Sequence, residues 1–272
     1  MKLLRVLLFC LPLFGLAEVY QWQDVAGNRH YSDRSHPQAK KVDIKPGYGF
    51  YVVQKVYDGD TVVLNDGRKV RLLGINTPEV KHRDKMADAG GDEAREWLKG
   101  RLLNKKVRLV TDAETSDKYH RTLAHLFTEQ KDHVNVQLVE AGLAEVSLYP
   151  PNLLYAEELL KAQDKAEHQQ RGIWQRPEYA AIPVARLSAG EHSGWTRIVG
   201  TVTHIRYARK FVYLELSNLV DLRIELKWLS LFPDIDGYSG KTIEARGWLN
   251  KNKGGHLSML IRHPSALKLR EP

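Results

Sequence analysis

The chain has 272 residues, 43% hydrophobic and 27% charged, with a formal net charge of +8. That balance excludes a disordered or fibrous protein and allows one large core or two smaller ones. The basic excess favours an anionic partner, either nucleic acid or a membrane surface.

Lys2 and Arg5 precede an apolar run over residues 6–16, and Gly15-Leu16-Ala17 places small residues before a cleavage point. Residues 1–17 therefore read as a secretory signal peptide cut after Ala17. The alternative is an uncleaved anchor, for which the run is short. The expected location is secreted or periplasmic, with no stable membrane insertion after cleavage. The one cysteine, Cys10, lies in this leader, so the exported chain is expected to have no disulfide. Four segments should follow: a short β module at 18–46, a β-then-α domain at 47–176, a linker at 177–189 and an all-β domain at 190–272. The linker reading rests on Pro177 and Pro183. Residues 190–272 hold 13 Lys/Arg against 8 Asp/Glu, a net +5.

Alternating residues in the second segment predict strands over 49–57, 61–64 and 69–75, with turns at Asp58-Gly59 and Asp66-Gly67. Asp92 is expected to cap a helix that sets Ala94, Trp97, Leu98 and Leu102 on one face. Strands over 106–111 and 121–127 and helices over 134–143 and 153–170 complete the domain, and Gly172 ends the second of these helices. This order suits a small barrel packed on helices.

Asp58-Gly59-Asp60-Thr61 sits where a strand begins and presents Asp60 at the barrel rim. Taken alone it is an ordinary turn. Eleven residues after Asp60 comes Arg71-Leu72-Leu73-Gly74-Ile75-Asn76-Thr77-Pro78-Glu79. Alternation sets Arg71 on the face of Leu73 and Ile75. An arginine there wants an anion or a carboxylate, or else snorkels from the barrel end. Pro78 stops the strand and fixes the loop carrying Glu79. Ser116-Asp117-Lys118-Tyr119-His120-Arg121 feeds a second arginine into a strand; the alternative is a solvated charge cluster.

In this order, with Ala141-Gly142-Leu143-Ala144 and Gly172-Ile173-Trp174, the motifs resemble the staphylococcal nuclease (thermonuclease) family over residues 50–174. The resemblance implies calcium-dependent hydrolysis of DNA and RNA, leaving 3′-phosphate and 5′-hydroxyl ends. It assigns Asp60 to the metal, Thr77 to the metal through its backbone carbonyl, and Arg71 and Arg121 to the reacting phosphate. Glu79 matches the carboxylate that positions or deprotonates the attacking water. Lys118 and Tyr119 match residues near the terminal phosphate. Tyr149 lies near a substrate-stacking tyrosine, offset by a one-residue gap. Asn76 stands where the family usually has aspartate. It keeps an oxygen ligand but loses a charge, so weaker or altered metal binding is expected. The chemistry agrees with these roles: two guanidiniums and a hard cation suit the charge that builds on a phosphoryl group under attack. The alternative reading is a catalytically weakened nucleic-acid-binding protein of the cell envelope, with Asn76 its best support.

Tyr20-x-Trp22-x-Asp24-x-x-Gly27-x-x-x-Tyr31-Ser32-Asp33 resembles a short module of unknown function in bacterial envelope proteins. A hairpin turning near Gly27 is expected, with Trp22 and Tyr31 either contacting sugar or cell wall or packing internally. In the last segment, strands are expected over 197–207, 211–216, 222–226, 242–249 and 256–262, with a helix over 227–232. That order suggests a small barrel of the OB type. Arg206, Arg209, Lys210, Tyr213, Arg246, Trp248 and Lys251 mix basic and aromatic groups, as single-strand binders do. The fold class expected is α+β and β-rich: an OB-type five-stranded barrel with three helices, plus a second small OB-like all-β domain.

Overall fold

A computed structural model describes residues 19–24, 29–32, 34–42, 49–81, 86–187, 194–252 and 254–270. The expected leader, Gly27 and the side chain of Tyr31 lie outside it. The chain divides into two units, residues 1–48 and 49–272.

In the first unit, β1 (Val19–Gln23) pairs antiparallel with both β2 (Arg29–Ser32) and β3 (Lys40–Val42). The expected hairpin thus gains a third strand. Trp22 stacks on His30 at 5.3 Å and on His36 at 4.7 Å, and His30 Nε2 meets Asp24 Oδ2 at 2.9 Å. The indole is engaged within its own module.

The second unit begins with β4 (Phe50–Asp58), β5 (Thr61–Leu64), β6 (Lys69–Leu72) and β7 (Ile75–Asn76). Then come α1 (Gly91–Leu102), β8 (Lys106–Val110), β9 (Thr122–Thr128), α2 (Val134–Glu140), β10 (Glu145–Val146) and α3 (Ala156–His168). A closed barrel runs β4-β5-β6-β9-β8, with β6 and β9 parallel, and β7 pairs with β10 outside it. Val62, Leu64, Val70, Leu72 and Leu126 fill the barrel against Leu98 and Leu102 of α1, Leu138 of α2 and Leu159 of α3. Each such side chain contributes about 1.5–3 kcal/mol of burial.

Several expected boundaries move. The strand foreseen over 69–75 splits into β6 and β7 because Gly74, at φ +73°, turns the chain. An added Cβ there would also strike Leu159 at 2.5 Å. The α1 cap is Gly90 and not Asp92; Asp92 and Glu93 fall in the first turn, where the helix dipole favours them. Helices α2 and α3 are shorter than foreseen. Gly142 turns left-handed just past α2, and left-handed Tyr155 starts α3 late.

The rest of the unit is one curled sheet. Its strands are β11 (Ile182–Pro183), β12 (Gly194–Thr201), β13 (His204–Tyr207), β14 (Phe211–Ser217), β15 (Val220–Glu225), β16 (Thr242–Lys251), β17 (Leu257–Ile261) and β18 (Leu267–Leu269). The order is β11-β12-β16-β17-β15-β14-β13, with β18 on β16. The strand expected over 197–207 breaks at Val202, which turns into the core and bonds Lys241 and Gly240. The expected helix is a short 3₁₀ segment, Leu226–Leu231. The expected linker is ordered at β11, which pairs in parallel with β12.

Charged groups seam the sheet to the barrel domain. Glu167 of α3 accepts from Arg246 Nη2 at 2.9 Å and from Lys268 Nζ at 3.2 Å, while Asp164 meets Lys268 at 3.0 Å. Trp174 has Arg197 and Arg246 over its ring at 5.5 and 5.6 Å. Glu244, fully enclosed, pairs with Arg197 and Arg246 at 2.7 Å each and with Arg270. Burial would raise its pKa, but these guanidiniums hold it down at about 2. Arg246, expected among groups facing nucleic acid, is instead 7% exposed and spent on this network.

Candidate active site

The turn between β4 and β5 delivers Asp60 to the barrel rim, and the packing beneath it explains the glycine. A Cβ on Gly59 would lie 2.6 Å from Ala94 of α1 and 2.7 Å from Thr77. Only glycine lets this turn, the helix and the Thr77 loop meet. Asp60 is 5% exposed, and its Oδ2 accepts from the Thr77 backbone at 3.1 Å and from Thr77 Oγ1 at 3.3 Å. Thr61 Oγ1 holds the other oxygen at 3.0 Å. Asp58 lies alongside; burial, and next the charge of Asp60, pushes its carboxyl up to about 6.

Arg71 of β6 reaches across the rim. Its Nη1 donates to the carbonyls of Leu72 and Ile75 at 2.8 and 3.0 Å. Its Nη2 meets Asp60 Oδ2 at 2.9 Å and donates to Asn76 Oδ1 at 3.2 Å. The arginine foreseen on this face is thus carboxylate-paired.

Asn76 in turn donates from Nδ2 to Glu145 Oε1 at 2.9 Å. Glu145 is 3% exposed, and burial raises its pKa well above the ordinary carboxylate range. The amide is therefore oriented from both ends: Nδ2 toward Glu145, Oδ1 toward Arg71.

Arg121 is set by a turn. Asp117 Oδ1 accepts from the backbone N–H groups of Tyr119 and Arg121 at 2.9 Å each, and Oδ2 accepts from Arg121 Nε at 2.7 Å. Burial opposes ionisation, but the Arg121 N–H and guanidinium hold the Asp117 carboxyl below its usual range. With Nε used in this way, the guanidinium is fixed and its outer nitrogens remain for a ligand.

Arg71, Lys118, Tyr119, Arg121 and Tyr149 line one cleft of about 1050 Å³. Asn76, Thr77, Glu79 and Glu145 line an adjoining cavity of about 300 Å³. Glu79 is pinned through its backbone, which accepts from Asp88 N–H at 2.8 Å and donates to Asp88 Oδ2 at 3.2 Å. Of the residues singled out from sequence, Arg71, Asn76, Thr77, Glu79, Lys118, Tyr119, Arg121 and Tyr149 line these two neighbouring cavities, whereas Asp60 lines neither and joins them through Arg71 and Thr77. Trp248 lines both cavities, and it belongs to the curled sheet.

Among the described residues, no three His, Cys, Asp or Glu side chains gather to hold a metal. The donor chemistry nonetheless fits a hard cation. Asp60 Oδ2 and Asn76 Oδ1 converge on a single cationic nitrogen, that of Arg71, and both are oxygens of the kind a hard cation takes.

Sequence reasoning missed Glu145. Its one signal was an acid within the apolar stretch Leu143-Ala144-Glu145-Val146. It read Asp58 only as a turn residue. Trp248 was singled out as a nucleic-acid-facing residue of its own sheet, but that it, Asn250 and Arg262 reach this cleft had no local signal.

The sequence model of the family described as staphylococcal nuclease homologue matches residues 69–176. The model of a domain of unknown function, DUF4124, matches residues 6–46 and so begins inside the expected leader. Over 129 residues the chain is 40% identical to the thermonuclease of Staphylococcus intermedius, covering 46% of this chain and 76% of that protein. It is 37% identical to the thermonuclease of Staphylococcus hyicus over 46% of this chain and 75% of the relative. It is 30% identical to endonuclease YncB of Bacillus subtilis over 60% and 74% of the two. With this rim on a closed five-stranded barrel, and with that similarity spanning three quarters of the thermonucleases, the chain belongs to the staphylococcal nuclease homologue family.

Proposed function

We propose that the chain is an exported nuclease that hydrolyses phosphodiester bonds of DNA and RNA, leaving 3′-phosphate and 5′-hydroxyl ends. The observation that carries this reading is the rim itself. Arg71 and Arg121 face one cleft, the oxygens of Asp60 and Asn76 converge beside it, and Glu79 lies in the adjoining cavity. The Asp117-fixed guanidinium of Arg121 offers its outer nitrogens to two phosphoryl oxygens, while Arg71, whose own outer nitrogens are held by Leu72, Ile75, Asp60 and Asn76, adds its positive charge from the barrel side. Glu79 orients the water opposite the leaving 5′-oxygen and accepts its proton as the new phosphorus–oxygen bond forms; the bond from phosphorus to the 5′-oxygen breaks, and that oxygen takes a proton from solvent to become the 5′-hydroxyl. Lys118 and Tyr119 hold the terminal phosphate, and Tyr149 carries a base. Asp60, Asn76 and the Thr77 carbonyl would hold a divalent cation. That cation, calcium by family resemblance, supplies further stabilisation of charge on the phosphoryl oxygens.

Purified protein is expected to cleave single-stranded DNA with calcium and to stop when the cation is chelated. Glu79→Gln should lower kcat about 100- to 10,000-fold with little change in melting temperature. No cleavage with calcium, magnesium or manganese would favour the second reading, a binding protein weakened at Asn76. Residues 1–17 support export to the periplasm or medium, and mass spectrometry of the exported protein should then find Glu18 first.

A further inference from the structure

The cleft that holds Arg71 and Arg121 has a far wall from a different part of the chain. Trp248 and Asn250 of β16 and Arg262, just beyond β17, line it opposite the barrel residues. Trp248 is 37% exposed although it sits where two cavities adjoin, and Trp195, its cross-strand partner on β12, lines the smaller one. Arg262 lies over the Tyr149 ring at 4.4 Å and has no ion pair among the described residues. Arg246, another cation of the same sheet, is by contrast committed to carboxylates.

We infer that the C-terminal sheet supplies the second half of the substrate site: Trp248 is a stacking platform for a nucleobase beside the reacting phosphate, and Arg262 holds a neighbouring phosphate. This inference deepens the nuclease reading and names its substrate as single-stranded nucleic acid. A base can stack on this indole only once it has left its own stack. The cleft's volume is that of a large ligand pocket and suits a short run of one strand. The position also accounts for an exposed tryptophan beside a tyrosine and an arginine, the combination that tracks a single strand without reading its sequence.

The test uses the full-length protein with a fluorescein-labelled dT₁₂ strand, and separately a duplex of equal length, in chelator so that nothing is cut. Anisotropy should show Trp248→Ala weakening single-strand binding about tenfold, with Trp248→Phe close to the parent and duplex binding hardly changed. Arg262→Ala should weaken binding and lower the slope against log salt by about 0.7. In the unaltered protein, a strand carrying bromodeoxyuridine should photocrosslink to the peptide containing Trp248. Unchanged single-strand affinity in a Trp248→Ala protein of unchanged melting temperature overturns the inference. So do crosslinks confined to other peptides. Cleavage is followed separately with calcium. Binding through Trp248 without cleavage defeats the nuclease reading alone. Cleavage with an unaltered KM in Trp248→Ala defeats this inference alone.

Discussion

Asn76 shows how one atom exchanged for another rearranges a site. Its Nδ2 donates to a carboxylate enclosed by the protein, and its Oδ1 accepts from Arg71. Restoring an acid here would remove the donor and set a second carboxyl against Glu145, whose pKa burial already raises, so that the pair cannot readily ionise together. We expect Asn76→Asp to destabilise the protein by about 1–3 kcal/mol, with no gain in calcium affinity. Adding Glu145→Gln should recover the loss, because the new amide can donate to the introduced carboxylate in turn. Thermal melts with calcium titration check this; a single variant that melts like the parent and binds calcium more tightly would rule it out. The asparagine was legible in the sequence as a departure from the family pattern. Its meaning was not, because the partner lies 69 residues away and the two meet only when β7 pairs with β10.

At the scale of elements, periodicity found the barrel strands and helices because their apolar faces are regular. Val62, Leu64, Val70 and Leu72 alternate along β5 and β6, and Ala94, Leu98 and Leu102 repeat along α1. It missed the breaks, which are set by single residues with no periodic signature: Gly74 between β6 and β7, and Val202 between β12 and β13. It also misread Arg246. A basic residue next to aromatic ones on β16 looks like a ligand-facing group until α3 is brought over it. Arg246→Ala leaves part of Glu244 and Glu167 uncompensated. The expected cost is about 3 kcal/mol, at the low end for a broken buried pair because Arg197, Arg270 and Lys268 remain. Urea denaturation measures it, and a change under about 0.5 kcal/mol would show that the seam carries little stability.

For the molecule as a whole, acid sensitivity follows from two neighbouring histidines, His125 enclosed and His133 half-buried. His125 Nδ1 and His133 Nε2 lie 3.1 Å apart, and burial lowers their pKa values to about 4 and about 3. Both rings fold neutral. Their stabilising effect is complete above the unfolded value near 6.5 and is lost as pH falls toward 4, at about 1.4 kcal/mol per pH unit for each ring. Asp58 works the other way: raised to about 6, it favours the fold most below 3.8 and loses that contribution as pH rises through 6. The clean measurement is therefore a difference. Between pH 6.5 and 4, His133→Gln should make the unfolding free energy less steep than the parent's by about one ring's worth. Parallel curves would mean that His133 is charged in the folded protein. None of this was visible in the linear order, where two histidines eight residues apart carry no sign of burial.

Strand β16 carries Trp248 a few residues beyond Glu244 and Arg246. The wall of the groove and its anchorage are therefore mounted on one rod. To spread the mouth, that rod would have to drag an enclosed anion away from the guanidiniums that neutralise it. On the substrate site proposed above, a slot held in this way would select an arriving polymer by its thickness before any bond is touched.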